Sequence, residues 1–75
     1  MSRGQDAAER YERARQALGE RAVAERAAGV LWQTPEFREL ARDVWEAEPG
    51  VPWWRRRLIG RRVLRELAHH KRGLR

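Results

Sequence analysis

Proline occurs at positions 35, 49 and 52 and nowhere else in the 75 residues, and this distribution constrains the fold more than any other feature. Proline breaks a helix interior and pushes the residue before it out of the helical region. The chain is thereby cut into a proline-free first segment, a short middle segment and a proline-free last segment. All three are dominated by Ala, Arg, Glu and Leu, the strongest helix formers, and none shows the period-2 alternation of a strand. The expected fold class is all-α, a small three-helix domain over residues 1–75. It comprises an Ala-rich N-terminal helix, a short amphipathic middle helix and a basic C-terminal helix.

The first helix is expected over about residues 5–28. Ala7, Tyr11, Ala14, Leu18 and Ala22 recur at 4, 3, 4 and 4 residues, which sets them on one face. That face is narrow and mostly alanine, and Gly19 within it costs about 1 kcal/mol relative to alanine. This helix is therefore expected to bend or fray at Gly19, and to be the loosest element or one ordered by a partner. Residues 29–33 read as an apolar hinge.

The middle helix, residues 34–47, opens with Thr34 as N-cap, Pro35 in the first turn and Glu36 at the positive end of the dipole. Phe37, Leu40, Ala41, Val44 and Trp45 fall within an arc of about 140° and are expected to be its buried side. Residues 48–52 form a turn, since prolines flank Gly50 on either side. The third helix follows over residues 53–70, with Trp53, Val63, Leu64, Leu67 and Ala68 around Gly60 as its core face and Gly60 permitting close helix approach. Trp32 and Trp45 are expected in the core, and residues 1–4 and 72–75 are expected to fray.

A chain of this length buries only about 60–65% of its unfolded surface, so its stability margin is narrow. It has no cysteine, which excludes disulfides and thiolate metal sites. The N-terminus is polar, without the apolar core of a signal peptide, and the apolar runs at 30–32 and 51–54 fall far short of the ~20 residues of a membrane helix. The protein is expected in the cytoplasm with no membrane span.

Charge is strongly polarised along the chain. Residues 51–75 carry nine Lys/Arg against the single Glu66, a charge of +8, whereas residues 1–50 carry eight Arg against ten acids, a charge of −2. On the third helix Arg55, Arg61, Arg62, Arg65, His69 and Arg72 lie opposite the expected core, with 61, 65, 69 and 72 in one stripe. Guanidinium groups on a rigid rod suit phosphate oxygens, which each planar fork can bind in pairs. Arg55, Arg56 and Arg57 sit in the first turn, where they oppose the helix dipole and one another, so an external anion is expected to compensate them. Trp54 points about 100° from Trp53 and is expected beside the arginine ridge with Leu58, where it can stack on a base or anchor a protein interface.

Catalytic parts are missing. His69 and His70 are adjacent and so face different ways on a helix, Ser2, Tyr11 and Thr34 are the only hydroxyls, and the six glycines are scattered. No enzyme activity, metal or cofactor is expected. The reading that results is a small basic nucleic-acid-binding protein, contacting DNA or RNA phosphates through Arg55, Arg57, Arg61, Arg62, Arg65, His69 and Arg72 with Trp54 alongside. No Asn or Gln stands in the third helix to read adenine, so binding is expected to be non-specific or structure-specific. The alternative is a protein-interaction module, an adaptor, assembly factor or phage-type inhibitor that docks the same Trp/Arg helix on an acidic protein surface. The acidic residues Glu9, Glu12, Glu20 and Glu25 of the first helix suit that docking role. A helical homodimer is the third reading.

Overall fold

The computed structural model describes residues 3–29 and 34–73, with side chains over 6–29 and 34–69. It is a small all-α domain, without strands among the described residues. Helix α1 spans Arg3–Ala27, α2 spans Pro35–Ala47, a short 3-10 turn covers Glu48–Gly50, and α3 spans Trp53–Gly73. Helix α1 thus begins two residues before, and α3 ends three residues beyond, the bounds expected from the sequence. The expectations for Trp32 and for residues 30–33 of the hinge lie outside the described residues, as do the side chains of Arg72 and His70.

Helix α1 is the central element, and both α2 and α3 pack on it while making few contacts with each other. At one end Glu25 of α1 meets Thr34 at the start of α2. At the other, Gly50 is so close to Ala7 that an added Cβ would lie 3.0 Å from the alanine Cβ. The two helices are thus antiparallel. Helix α3 runs in the same direction as α1, since Arg62 pairs with Glu12 and Leu67 abuts Gly19.

The Ala-rich face of α1 packs as its spacing predicts. Ala8 and Tyr11 are buried with Val44, Ala47, Val51, Ile59 and Val63, and Ala7, Ala14, Leu18 and Leu67 pack around them. Alanine lets the helices approach closely, and Gly19 serves the same end rather than bending the helix. A Cβ there would lie 2.4 Å from Leu67 Cδ1, so Leu67 occupies the space that the missing side chain leaves. A Cβ on Gly60 would meet only Arg15 Nη2, at 3.5 Å, an ordinary contact. The close-approach glycine is therefore Gly19, not Gly60.

Helix α1, expected to be the loosest element or one ordered by a partner, is the one on which both other helices pack. Its C-terminal end closes on Gly29, at φ +78, a left-handed conformation glycine adopts without a Cβ clash. The joint to α2 is polar. Thr34 Oγ1 accepts the Phe37 amide at 3.2 Å and donates to Glu25 Oε2 at 2.6 Å, while Arg21 Nε reaches the same carboxylate oxygen at 2.6 Å. Burial alone would push the Glu25 carboxyl up, but the hydrogen bonds from Thr34 and Arg21 and the Arg21 charge outweigh it and hold the group below its ordinary value. Glu25 is only 3% exposed, so one hydroxyl both caps α2 and ties it to a buried carboxylate of α1.

The rest of the core face of α3 also differs from expectation. Ile59 and Val63 are buried and Leu67 is partly so, whereas Trp53, Leu64 and Ala68 are exposed. The buried arc is turned by about 60–80° towards Ile59 because α3 rests on one helix instead of lying in a cleft between two. For the same reason Trp45, on the flank of α2, is 75% exposed and not in the core.

Candidate nucleic-acid interface

Helix α3 begins where Pro52 ends the turn, and the Pro52 carbonyl accepts from both the Arg55 and Arg56 amides, at 3.0 and 2.9 Å. From there the buried stripe of Ile59, Val63 and Leu67 fixes the rotation of the helix, and every other residue's direction follows. About half of the circumference, from Trp53 round to Arg62, faces outward. Along its middle run Arg57, Arg61 and Arg65, all exposed, at i, i+4 and i+8 and about 6 Å apart along the axis.

These three arginines form no ion pair with a described residue, while Arg56 and Arg62 do. Arg62 pairs with Glu12 of α1 at 2.8 Å on one side. In the first turn of the helix, above the buried stripe, Arg56 pairs with Glu48 of the 3-10 turn. The first-turn arginines are thus partly compensated within the protein, at Arg56, by a carboxylate of the turn that leads into the helix. Glu66, the one acid of α3, lies towards the α1 side, about 100° from Arg65, and does not neutralise the crest. Like charges at i, i+4 destabilise a helix by about 0.2–0.5 kcal/mol per pair, so the crest carries repulsion that a bound anion would relieve.

Of the residues singled out from the sequence, Arg57, Arg61, Arg65, His69 and Trp54 share the outward arc. Arg62 stands at its edge, engaged with Glu12. Arg55 is half-buried and turned towards α1, where it borders a pocket of about 500 Å³ with Glu9, Glu12, Trp54 and Leu58. It does not stand with the crest, since it lies about 120° from Arg61 on the wheel. Arg72 is helical, but its side chain lies outside the described residues. Trp54 and Leu58 sit together as expected, each 52% exposed.

Sequence reasoning missed Trp53 and Leu64, which are 67% and 64% exposed on the opposite flank of the crest. Their apolar character pointed inward, and only the docking angle of α3 shows that they face out. Glu12 and Glu25, expected on a docking surface, are engaged within the molecule by Arg62 and by Arg21 and Thr34. Among the described residues no group of three His, Asp or Glu side chains is arranged to hold a metal ion. No described helix is long and apolar enough to cross a membrane.

Comparison with known proteins yields no matching family model, no matching curated protein and no matching solved structure.

Proposed function

We propose that this protein binds nucleic acid through the outward face of α3, with Arg57, Arg61 and Arg65 on phosphates and Trp54 beside them. One observation carries the reading: carboxylates of the protein neutralise Arg56 and Arg62, while Arg57, Arg61 and Arg65 on the crest have no carboxylate partner among the described residues. A helix with half its circumference open can enter or cross a groove, and phosphate contacts by arginine supply affinity without sequence information. The absence of Asn and Gln from α3 favours non-specific or structure-specific binding. The role is binding, not catalysis.

A second reading rests on Trp53, Trp54, Leu58 and Leu64, whose exposure is unusual for a face that meets only phosphates. Trp and Arg dominate protein interface hot spots, and the same face suits an acidic surface on a larger protein, as in an adaptor, assembly factor or inhibitor.

Anisotropy of labelled duplex DNA, single-stranded DNA and RNA, titrated at two salt concentrations, separates the two. Phosphate binding weakens with a log–log slope near −0.9 per contact, about −3 for three arginines. Arg61→Glu with Arg65→Glu should abolish it with helix content unchanged. Nucleic-acid affinity retained in that double variant would overturn the reading, as would the absence of binding at low salt.

A further inference from the structure

The surface of the chain is larger than its mass requires. It exposes 6066 Å², against about 4,800 Å² for a compact monomer of 8.9 kDa. Its radius of gyration is 13.0 Å, where a compact chain of this length has about 11.3 Å. An open groove contributes to it. Because α2 and α3 both lean on α1 and scarcely touch each other, a groove runs between them along α1. Two adjoining depressions make it up, of about 580 and about 220 Å³, and they share Arg15 and Leu64.

Exposed apolar side chains and arginines line this groove together. Phe37 lines one end on the α2 side and Glu48 the other. Between them Ala41 and Trp45 complete an i, i+4, i+8, i+11 stripe on that flank of the helix. Trp53 and Leu64 line the α3 side. Trp53 and Leu64, which line the groove, are 67% and 64% exposed, and Trp45, 75% exposed, lies on the flank of α2 that carries Phe37.

We infer that this groove receives an acidic amphipathic helix from a partner protein, which completes a four-helix arrangement. The groove shares Arg57 and Arg61 with the crest of α3, whereas Trp45 and Leu64 lie off the phosphate-facing stripe and Arg65 lies on the crest alone. Charge decides the occupant. Arg15, Arg57 and Arg61 line the groove without a carboxylate partner among the described residues, and the one acid there, Glu48, is engaged by Arg56. A second copy of the chain, docked symmetrically, would set these arginines against their own equivalents. A partner helix with leucine on one stripe and glutamate at its edges meets both the apolar walls and the unpaired cations. The walls extend over about 13–15 residues of helix, so four turns, or about 20 Å, are covered.

The test uses the full chain and a fluorescein-labelled synthetic helix of about 18 residues with leucine on one stripe and glutamate elsewhere, beside a twin carrying lysine for glutamate. The acidic peptide should bind and its twin should bind at least about tenfold more weakly. Trp45→Ser and Leu64→Gln, at exposed positions, should each weaken the acidic peptide by about tenfold or more with helix content and DNA binding unchanged. Arg65→Glu, on the crest, should impair DNA binding and leave the peptide unaffected. No binding of the acidic peptide, equal binding of the two peptides, or indifference to both groove variants overturns the inference. So does a dimer in sedimentation that Trp45→Ser dissociates, which would make a second copy the occupant.

Discussion

At the scale of single residues, two glycines that look alike in the sequence have opposite functions. Gly19 is filled by Leu67, so Gly19→Ala gains about 1 kcal/mol of helix propensity and meets about 1–3 kcal/mol of overpacking. The expected result is a destabilised protein, and a reversal to stabilisation when Leu67→Ala removes the obstacle, a coupling that a double-mutant cycle in urea measures directly. Gly60 has room for a methyl group, and Gly60→Ala should stabilise by about 0.5–1 kcal/mol. Additive effects at Gly19 and Leu67 would mean that the two residues do not touch in solution. Size is an equally poor guide to burial here. Ile59 is 4% exposed and Trp45 75%, so Ile59→Ala should cost about 2–4 kcal/mol, while Trp45→Ala should change the stability of the isolated chain by less than about 0.5 kcal/mol. Thermal unfolding of the two variants checks the contrast.

Among the elements, the joint between α1 and α2 has the most specific chemistry. Thr34 caps α2 and donates to Glu25, and Arg21 holds both Glu25 and, at 3.7 Å, Glu36. Thr34→Ala should cost about 1 kcal/mol through the lost cap alone. The pH dependence has a definite sign. A carboxyl whose folded pKa lies below its unfolded one stabilises the protein at neutral pH, and that contribution disappears as the pH falls from about 4.3 through the lowered folded value. Glu25→Gln should therefore be less stable than the parent at pH 7, with the difference shrinking as the pH falls below about 4.3 and Glu25 is protonated. Circular dichroism melts across this range would show the two curves converging. Parallel curves would exclude Glu25 as the titrating group.

For the molecule as a whole, the governing facts are a small core and an uneven charge. No described side chain is completely buried, and the core consists of small and medium residues together with Tyr11. A domain of this size has a stability of only about 4–11 kcal/mol. Ligand binding should therefore be visible as stabilisation. A polyanion at 100 times its dissociation constant adds about 2.7 kcal/mol, which raises Tm by roughly 10–20 °C in a domain this small. Under the nucleic-acid reading, short duplex DNA should produce this shift at low salt and lose it at high salt. A shift that persists at high salt would assign the effect to apolar contact instead.

The positions of the three helices, the cap at Thr34, the packing face of α1 and the cationic nature of α3 all follow from local properties. Proline geometry, helix propensity and the spacing of Ala7, Tyr11, Ala14 and Leu18 act within a few residues of themselves, so they can be read along the chain. The rotation of α3, the exposure of Trp45, Trp53 and Leu64, and the engagement of Glu12 by Arg62 depend on how helices meet. Wheel arithmetic finds an apolar arc but not the side from which another helix covers it, and in this protein α1 covers one flank of α3 alone. Tertiary packing also decided which arginines are neutralised, because Glu12 is fifty residues from Arg62 in sequence and 2.8 Å from it in space. The cationic crest and the open groove are both products of that arrangement.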